Sequence, residues 1–358
     1  MSQVNTGYKM HLYYSNEADY GTIGSEGYKS IGLVQSVSPT EMNSLIKIRT
    51  LGGDRDYSNI VPGKFEVNGS FSYYIQDGKF LVYAIGEAAD SVHSGTSYLH
   101  TMGEGISPGA NDFPSFTLEF GNVESTDDIS SNLVRKYDGC RVNTLSLNAT
   151  VDEPLQASVD WIGRSVTATQ TSSAGTVTIS EKDPYVFYQG GMYLSDTDVE
   201  ATTSMAEKTH ICELNSFDIS INNNLEALWY ICRPDTGSAR SLRALVPKGR
   251  DWEGNVEINF SNWAMYQRFL GSVGSTTPQD VLESTIIVLD FVRSGTIGGT
   301  AASTDDFMRI VLKGVKFDQN EIAGAPEDIV SQSLTLSIES AAIHVVDDIE
   351  EYDISGDS

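Results

Sequence analysis

The sequence predicts a mainly β protein made of two tandem β-domains, each with one long hairpin and one short flanking helix. Three observations carry this. A stretch of the first half recurs in the second, hydrophobic residues alternate with polar ones through most of the chain, and 358 residues exceed the usual size of a single hydrophobic core.

The repeat is ungapped over its clearest stretch. VPGKFEVNGSFSYYIQDGKFLVYAIG, Val61 to Gly86, aligns with VPKGRDWEGNVEINFSNWAMYQRFLG, Val246 to Gly271, placing Pro62 on Pro247, Gly69 on Gly254 and Gly86 on Gly271. In the second copy Trp252, Val256, Ile258 and Phe260 alternate with Asp251, Glu253, Asn255, Glu257, Asn259 and Ser261, the period of a strand with one buried and one wet face. In the first, Phe65, Val67, Phe71 and Tyr73 alternate with Glu66, Asn68, Ser70 and Ser72. A helix is predicted after each strand, from Gly78 to Ile85 and from Asn262 to Leu270, with Gly271 as terminator.

Each hairpin strand has a partner upstream, with Ser36, Asn43 and Leu45 matched by Ser216, Asn223 and Leu225. Phe217, Ile219 and Ile221 form the apolar side of the second partner strand, and Ser216, Asp218, Ser220 and Asn222 the polar side. Later, DGCRVN (Asp138 to Asn143) corresponds to KGVKFD (Lys313 to Asp318). Each is followed by a proline-containing loop and an alternating strand, LQASVDWI or SLTLSI. The halves are therefore expected at residues 1–175 and 176–358, joined near Gln170 to Lys182 where the hydrophobic pattern fades, each with its own core.

Charge limits the functions available. The 49 acidic residues against 23 basic ones leave a net charge of −26, which argues against a protein that holds nucleic acid by neutralising phosphates. Such an excess also suits a soluble protein in a saline environment. Cys140, Cys212 and Cys232 form no CxxC pair, and His11, His93, His100, His210 and His344 follow no metal-ligand spacing. Asp196, Asp198 and Glu200 resemble a fragment of a calcium loop without its glycine and distal glutamate. No nucleophile, phosphate-loop or dinucleotide motif is present, so neither a catalytic site nor a cofactor is expected. No segment approaches the roughly 18 apolar residues of a membrane span, and the N-terminus lacks a secretory pattern. The tail VVDDIEEYDISGDS reads as a disordered or loosely docked acidic end.

The succession of segments resembles the tail tube proteins of long-tailed phages and archaeal viruses. It is carried by YYSNEADYGT (Tyr13 to Thr22), SLIKIRTLGGDRD (Ser44 to Asp56), the Val61 to Gly86 hairpin, PSFTLEFG (Pro114 to Gly121), YDGCRVNTLSLNATVDEPLQASVDWIG (Tyr137 to Gly163), ELNSFDISINNNLEALWY (Glu213 to Tyr230) and VKFDQNEIAGAPEDIVSQSLTLSI (Val315 to Ile338). Many family members carry one copy of the fold, so two per chain put the usual six-subunit ring in doubt.

The resemblance implies β-sandwich or barrel domains whose hairpins join a sheet closed around a lumen. With two copies per chain it implies rings of three chains, stacked into a virion tail tube through which viral DNA is ejected, assembled in the host cytoplasm. Tape-measure, tail terminator and baseplate or tip proteins are its implied partners. The polar strand faces would line the lumen: Ser36, Ser38, Thr40, Glu66, Asn68, Ser70 and Ser72 in the first half, and Asp218, Ser220, Asn222, Asn224, Asp251, Glu253, Asn255, Glu257 and Asn259 in the second. The loops RTLGGDRDYSNI and RPDTGSARSLRAL would reach the next ring through Arg49, Arg55, Tyr57, Ile60, Arg233, Arg240, Leu242, Arg243 and Leu245. Two other classes stay open: a carbohydrate-binding or adhesin-like pair of β-sandwiches, which needs a groove of exposed aromatics, and a β-rich hydrolase, which needs a concave carboxylate site.

Overall fold

A computed structural model describes residues 9–24, 27–53, 55–86, 88–103, 113–122, 132–175, 177–231, 238–326 and 329–352. The first half contains β1 (Met10–Asp19), β2 (Thr22–Ile23), β3 (Lys29–Ser30), β4 (Leu33–Ile48), β5 (Asn59–Tyr74), α1 (Val82–Ile85), β6 (Ala89–Ser94), β7 (Ser97–Gly103), β8 (Phe116–Asn122), β9 (Leu133–Thr150), β10 (Gln156–Gly163) and β11 (Ser165–Thr169). The second contains β12 (Gly190–Ser195), β13 (Thr209–Ile211), β14 (Leu214–Asn222), β15 (Glu226–Leu228), β16 (Ala244–Val246), β17 (Asp251–Asn259), α2 (Ala264–Leu270), β18 (Thr285–Ser294), β19 (Asp306–Ala323), β20 (Ser331–Ile338) and β21 (Ser340–Asp347). The mainly β expectation holds. The first helix is shorter than predicted: a 3-10 turn at Lys79–Leu81 leads into one α-turn, whose Gly86 at φ 115 stops it.

One antiparallel sheet of eight strands crosses both halves in the order β4-β5-β10-β9-β14-β17-β20-β19. The first four strands come from the first half and the last four from the second, and β9 meets β14 at the junction, with Leu147 opposite Ile219. Corresponding residues occupy corresponding places in the ladder. The register slips between Val34 and Ser36 in β4 and between Leu214 and Ser216 in β14. Gly69 lies opposite Trp161, as Gly254 lies opposite Leu336. A Cβ on Gly69 would stand 2.8 Å from Trp161 Cζ2 and one on Gly254 2.7 Å from Ile219 Cδ1, so both glycines yield space to the core.

Outer sheets cover the apolar side, β3-β1-β8-β9-β11 in the first half and β13-β12-β18-β19-β21-β7-β6 in the second. β9 and β19 are long enough to belong to an inner and an outer sheet at once, bending at positive-φ glycines, Gly139 (φ 64) and Gly314 (φ 65). The larger buried cluster runs from Phe71, Phe80 and Trp161 to Val256, Ile310 and Leu336 and so spans both halves along the continuous sheet, while a smaller one holds Val199, Met205, Val288 and Val311.

The second outer sheet contains a strap from the first half, the β6–β7 hairpin, whose β7 pairs with β21. There His100, fully buried, contacts Asp90 through Nδ1 at 2.6 Å and, through Nε2, Asp347 at 3.2 Å and the Ile349 carbonyl at 2.9 Å. Tyr352 stacks on the imidazole with ring centroids 3.6 Å apart and donates its hydroxyl to Asp347. Burial works against the imidazolium, but the hydrogen bonds to Asp347 and Asp90 outweigh it and raise the His100 pKa from 6.5 to about 9. The acidic tail is thus docked as far as Tyr352, contrary to the loose end expected; residues 353–358 lie outside the described ones.

Candidate functional site

Alternation gives the eight-stranded sheet one buried face and one polar face, and register places the polar residues in rows. One row runs Ser36, Ser72, Ser158, Ser146, Ser220, Glu253 and Ser337, and another Gln156, Asn148, Asp218, Asn255 and Thr335. Ser38, Thr40, Asn68, Ser70, Asp251, Glu257 and Asn259 continue the same face, and Glu66 joins it opposite Met42. Asn222 ends its β14 edge, but Asn224 leaves the strand at φ 48, its amide donating to the Gly249 carbonyl (2.7 Å) and Asp251 (2.6 Å). Of the sixteen residues expected on this surface, fifteen therefore share one strand face and Asn224 caps its edge.

Sequence reasoning missed the contributions of β9, β10, β19 and β20: Ser146, Asn148, Ser158, Asp160, Thr335, Ser337 and Glu321. For Ser158, Asp160, Thr335 and Ser337 the signal was the alternation in LQASVDWI and SLTLSI, and for Ser146 and Asn148 that in TLSLNAT; what was missing was the pairing that brings those strands onto the same sheet. Small hydroxyls and amides make up most of the face and carboxylates most of its charge, and hydroxyls hold some of these: Ser146 donates to Asp218 at 2.8 Å and Ser337 to Asp318. Lysine enters at the margins, with Lys64 paired to Glu66 and Lys316 opposite Ser337.

Among the described residues both end strands of this sheet pair within it on one side only, β4 with β5 and the Lys316–Ala323 part of β19 with β20. Pro39 interrupts the free edge of β4, where a missing amide donor costs no ladder bond.

The predicted stacking loops behave differently from one another. β4 and β5 run past the sheet as an arm, with Arg49, Arg55, Tyr57 and Ile60 at its exposed tip; Arg49 Nη1 donates to the Arg55 carbonyl at 2.9 Å and its guanidinium lies 4.4 Å from the Tyr57 ring centre. The second-half loop instead lies across the base of that arm. Arg240 Nε donates to the Gly63 carbonyl (2.6 Å), its Nη2 to Asn43, and its own carbonyl accepts from the Phe65 amide (3.0 Å). Leu242 and Leu245 are buried there, so they are core residues, not stacking contacts; Arg243 is half-buried and donates its amide to the Leu228 carbonyl, and Arg233 lies outside the described residues.

The remaining candidates are structural. Asp198 pairs with Lys313 (2.9 Å), which lowers its pKa, and Asp196 with Arg268 (3.0 Å). Cys140 is buried, which pushes its thiol up, Cys212 is exposed, and Cys232 lies outside the described residues. Trp161 and Trp252 are buried in the core, while Trp263 is exposed.

Among the described residues the molecule is a β protein with a broad one-sided polar sheet, end strands paired on one side only and a projecting arm. The particular family follows from its sequence: the phage tail tube protein family matches residues 7–340, nearly the whole chain, and the chain belongs to it. It is accordingly a structural component of a virion tail. Among curated proteins none matches it. Among solved structures, a crystal structure of a Pseudomonas aeruginosa FadL homologue aligns over 94% of this chain and 87% of that one at 7% identity, with a TM-score of 0.10, too low to carry an argument.

Proposed function

We propose that three copies close head to tail into a ring around a lumen, that rings stack into the tail tube, and that viral DNA passes along the polar face of the eight-stranded sheet during ejection. The observation that carries this is the β9/β14 junction. The end strand of the first half's four pairs there with the first strand of the second half's four; the same pairing between β19 of one chain and β4 of the next would repeat the junction around an axis. The corresponding ladder positions set the register: Thr40 of one copy opposite Glu321 of the next, and Ser38 opposite Ala323, all on the polar face. The matching register slips favour descent of the two halves from one duplicated unit, which makes three chains pseudo-sixfold.

Closure also removes both free strand edges, which otherwise invite uncontrolled pairing. In the lumen Asp160, Asp218, Asp251, Glu253 and Glu257 would repel phosphates and leave few points of attachment, so DNA slides. Tape-measure, terminator and baseplate proteins would meet the two ends of the tube.

Negative-stain electron microscopy with mass determination tests this. Wild-type protein should form hollow tubes or three-chain rings; monomers at every salt and concentration would sink the reading. Asn223 donates its amide to the Asn143 carbonyl and Val151 its amide to Asn215, so alternate residues of β9 from Asn143 onward face β14. Ile322 corresponds to Leu147 of that set, so its amide faces the free edge. Ile322→Pro should keep the chain folded and abolish rings, and rings formed normally by that variant would contradict the proposed junction.

A further inference from the structure

Near one rim of the molecule, where β9 ends and β14 begins, a cavity of about 340 Å³ opens between the inner sheet and β12, β13 and β18, lined by Val151, Phe187, Met192, Ile211, Cys212 and Leu214 among others. The β4–β5 arm leaves from the opposite end of the same sheet, because β4 runs toward its tip as β14 runs away from the cavity. We propose that the arm tip of one copy, Leu51 foremost, seats in this cavity of a copy in the adjacent ring. The proposal rests on the tube reading above and names the receiving surface of its stacking contact.

Three further observations favour a second copy as the occupant. First, the arm is apolar where nothing covers it: Leu45, Ile46, Ile48 and Ile60 are exposed, and Leu51 is wholly so at 108%. An uncovered patch of this kind marks a contact surface. Second, the tip is preorganised rather than loose. The Ser58 amide bonds to the Ile48 carbonyl at 2.9 Å, Thr50 bonds to Ser58 through their hydroxyls at 2.7 Å, and Gly52 takes φ 81 at the turn. Third, charge is complementary. In a chain with more than twice as many acidic as basic residues, the arm carries Lys47, Arg49 and Arg55 against Asp54 and Asp56, a small basic excess, whereas the rim beside the cavity carries Asp152, Glu153 and Glu213. One such arm per chain gives three grips per ring, a true threefold contact laid over the pseudo-sixfold sheet.

Cys212 is an exposed free thiol in the cavity lining, which makes the contact testable by cross-linking. The protein to use is the full chain carrying Leu51→Cys in a Cys232→Ser background, assembled and then treated with copper phenanthroline, air oxygen accepting the two electrons. Tubes should yield a covalent ladder of chains on a non-reducing gel, lost when Cys212→Ser is added. Tubes without a ladder, or a ladder that survives Cys212→Ser, would overturn the proposal while leaving the tube reading intact. Failure of the wild type to form rings or tubes would overturn both. As a second variant, Leu51→Asp should leave rings and reduce tube yield by at least about tenfold; full-length tubes at normal yield would count against the contact.

Discussion

The two hairpins of the eight-stranded sheet agree inside the sheet and part company beyond it. β4 and β14 share the slip before Ser36 and Ser216, yet β4 continues past a second slip at Ser44 to Ile48, whereas β14 stops at Asn222. The cause is local chemistry. In the second half the run Asn222-Asn223-Asn224 ends the β14–β17 ladder in side-chain bonds: Asn222 accepts from the Asn224 backbone amide, and the Asn223 side chain donates to the carbonyls of Ala84 (2.9 Å) and Val142 (3.1 Å). Asparagine tolerates the left-handed conformation Asn224 adopts and competes well for backbone partners. The first half has Met42-Asn43-Ser44 at the same place, followed by the strand-forming Leu45, Ile46 and Ile48, so the arm stays extended. Equal sheet geometry thus supports one straight arm and one folded across its neighbour's base.

The comparison breaks most severely at Asn223. Asn223→Ala should cost about 2–4 kcal/mol in chemical denaturation, since two buried carbonyls of the first half, on Ala84 and Val142, lose their donor from the second and Arg250, which bonds Asn223 Oδ1 at 3.0 Å, loses an acceptor. Next in size is the strap that only the first half supplies. The second half has no strand between α2 and β18 to match it. Because the His100 pKa is raised from 6.5 to about 9, its stabilisation is complete below pH 6.5 and fades as pH rises through 9. The melting temperature should therefore drop across that window, and His100→Ala should melt lower at pH 6 and show a flatter profile. Smaller still, Arg240→Ala should cost about 1 kcal/mol and speed amide exchange at Phe65, whose hydrogen bond the second-half loop provides. At the arm tip, Leu51→Ser should change the stability of the isolated chain by no more than about 0.5 kcal/mol, since Leu51 covers nothing within its own chain; a larger loss in denaturation would mean the arm serves its own fold.

Much of the fold was legible because its signals are short-range. Period-two alternation marked the polar face around Ser70, Asp218 and Glu253, and Gly69 and Gly254 marked the steps where the core comes close. Leu242 and Leu245 misled for the opposite reason: an arginine-rich stretch looked like an exposed loop, and only the tertiary structure buries those leucines. Ser146, Ser158 and Ser337 were likewise visible as alternating residues but not as neighbours of Ser36 and Ser220.

What the sequence determined by itself was the β character, the inward and outward sides of each strand and the matched order of segments in the two halves, since side-chain period and turn residues are properties of a few consecutive positions. Tertiary structure alone decided that β9 pairs with β14, that the larger buried cluster spans both halves, that the tail docks on His100 and that one arm projects while the other folds back. Those outcomes depend on pairing between segments far apart in the chain, where the free energy lies in register, burial and hydrogen-bond partners that no local pattern encodes.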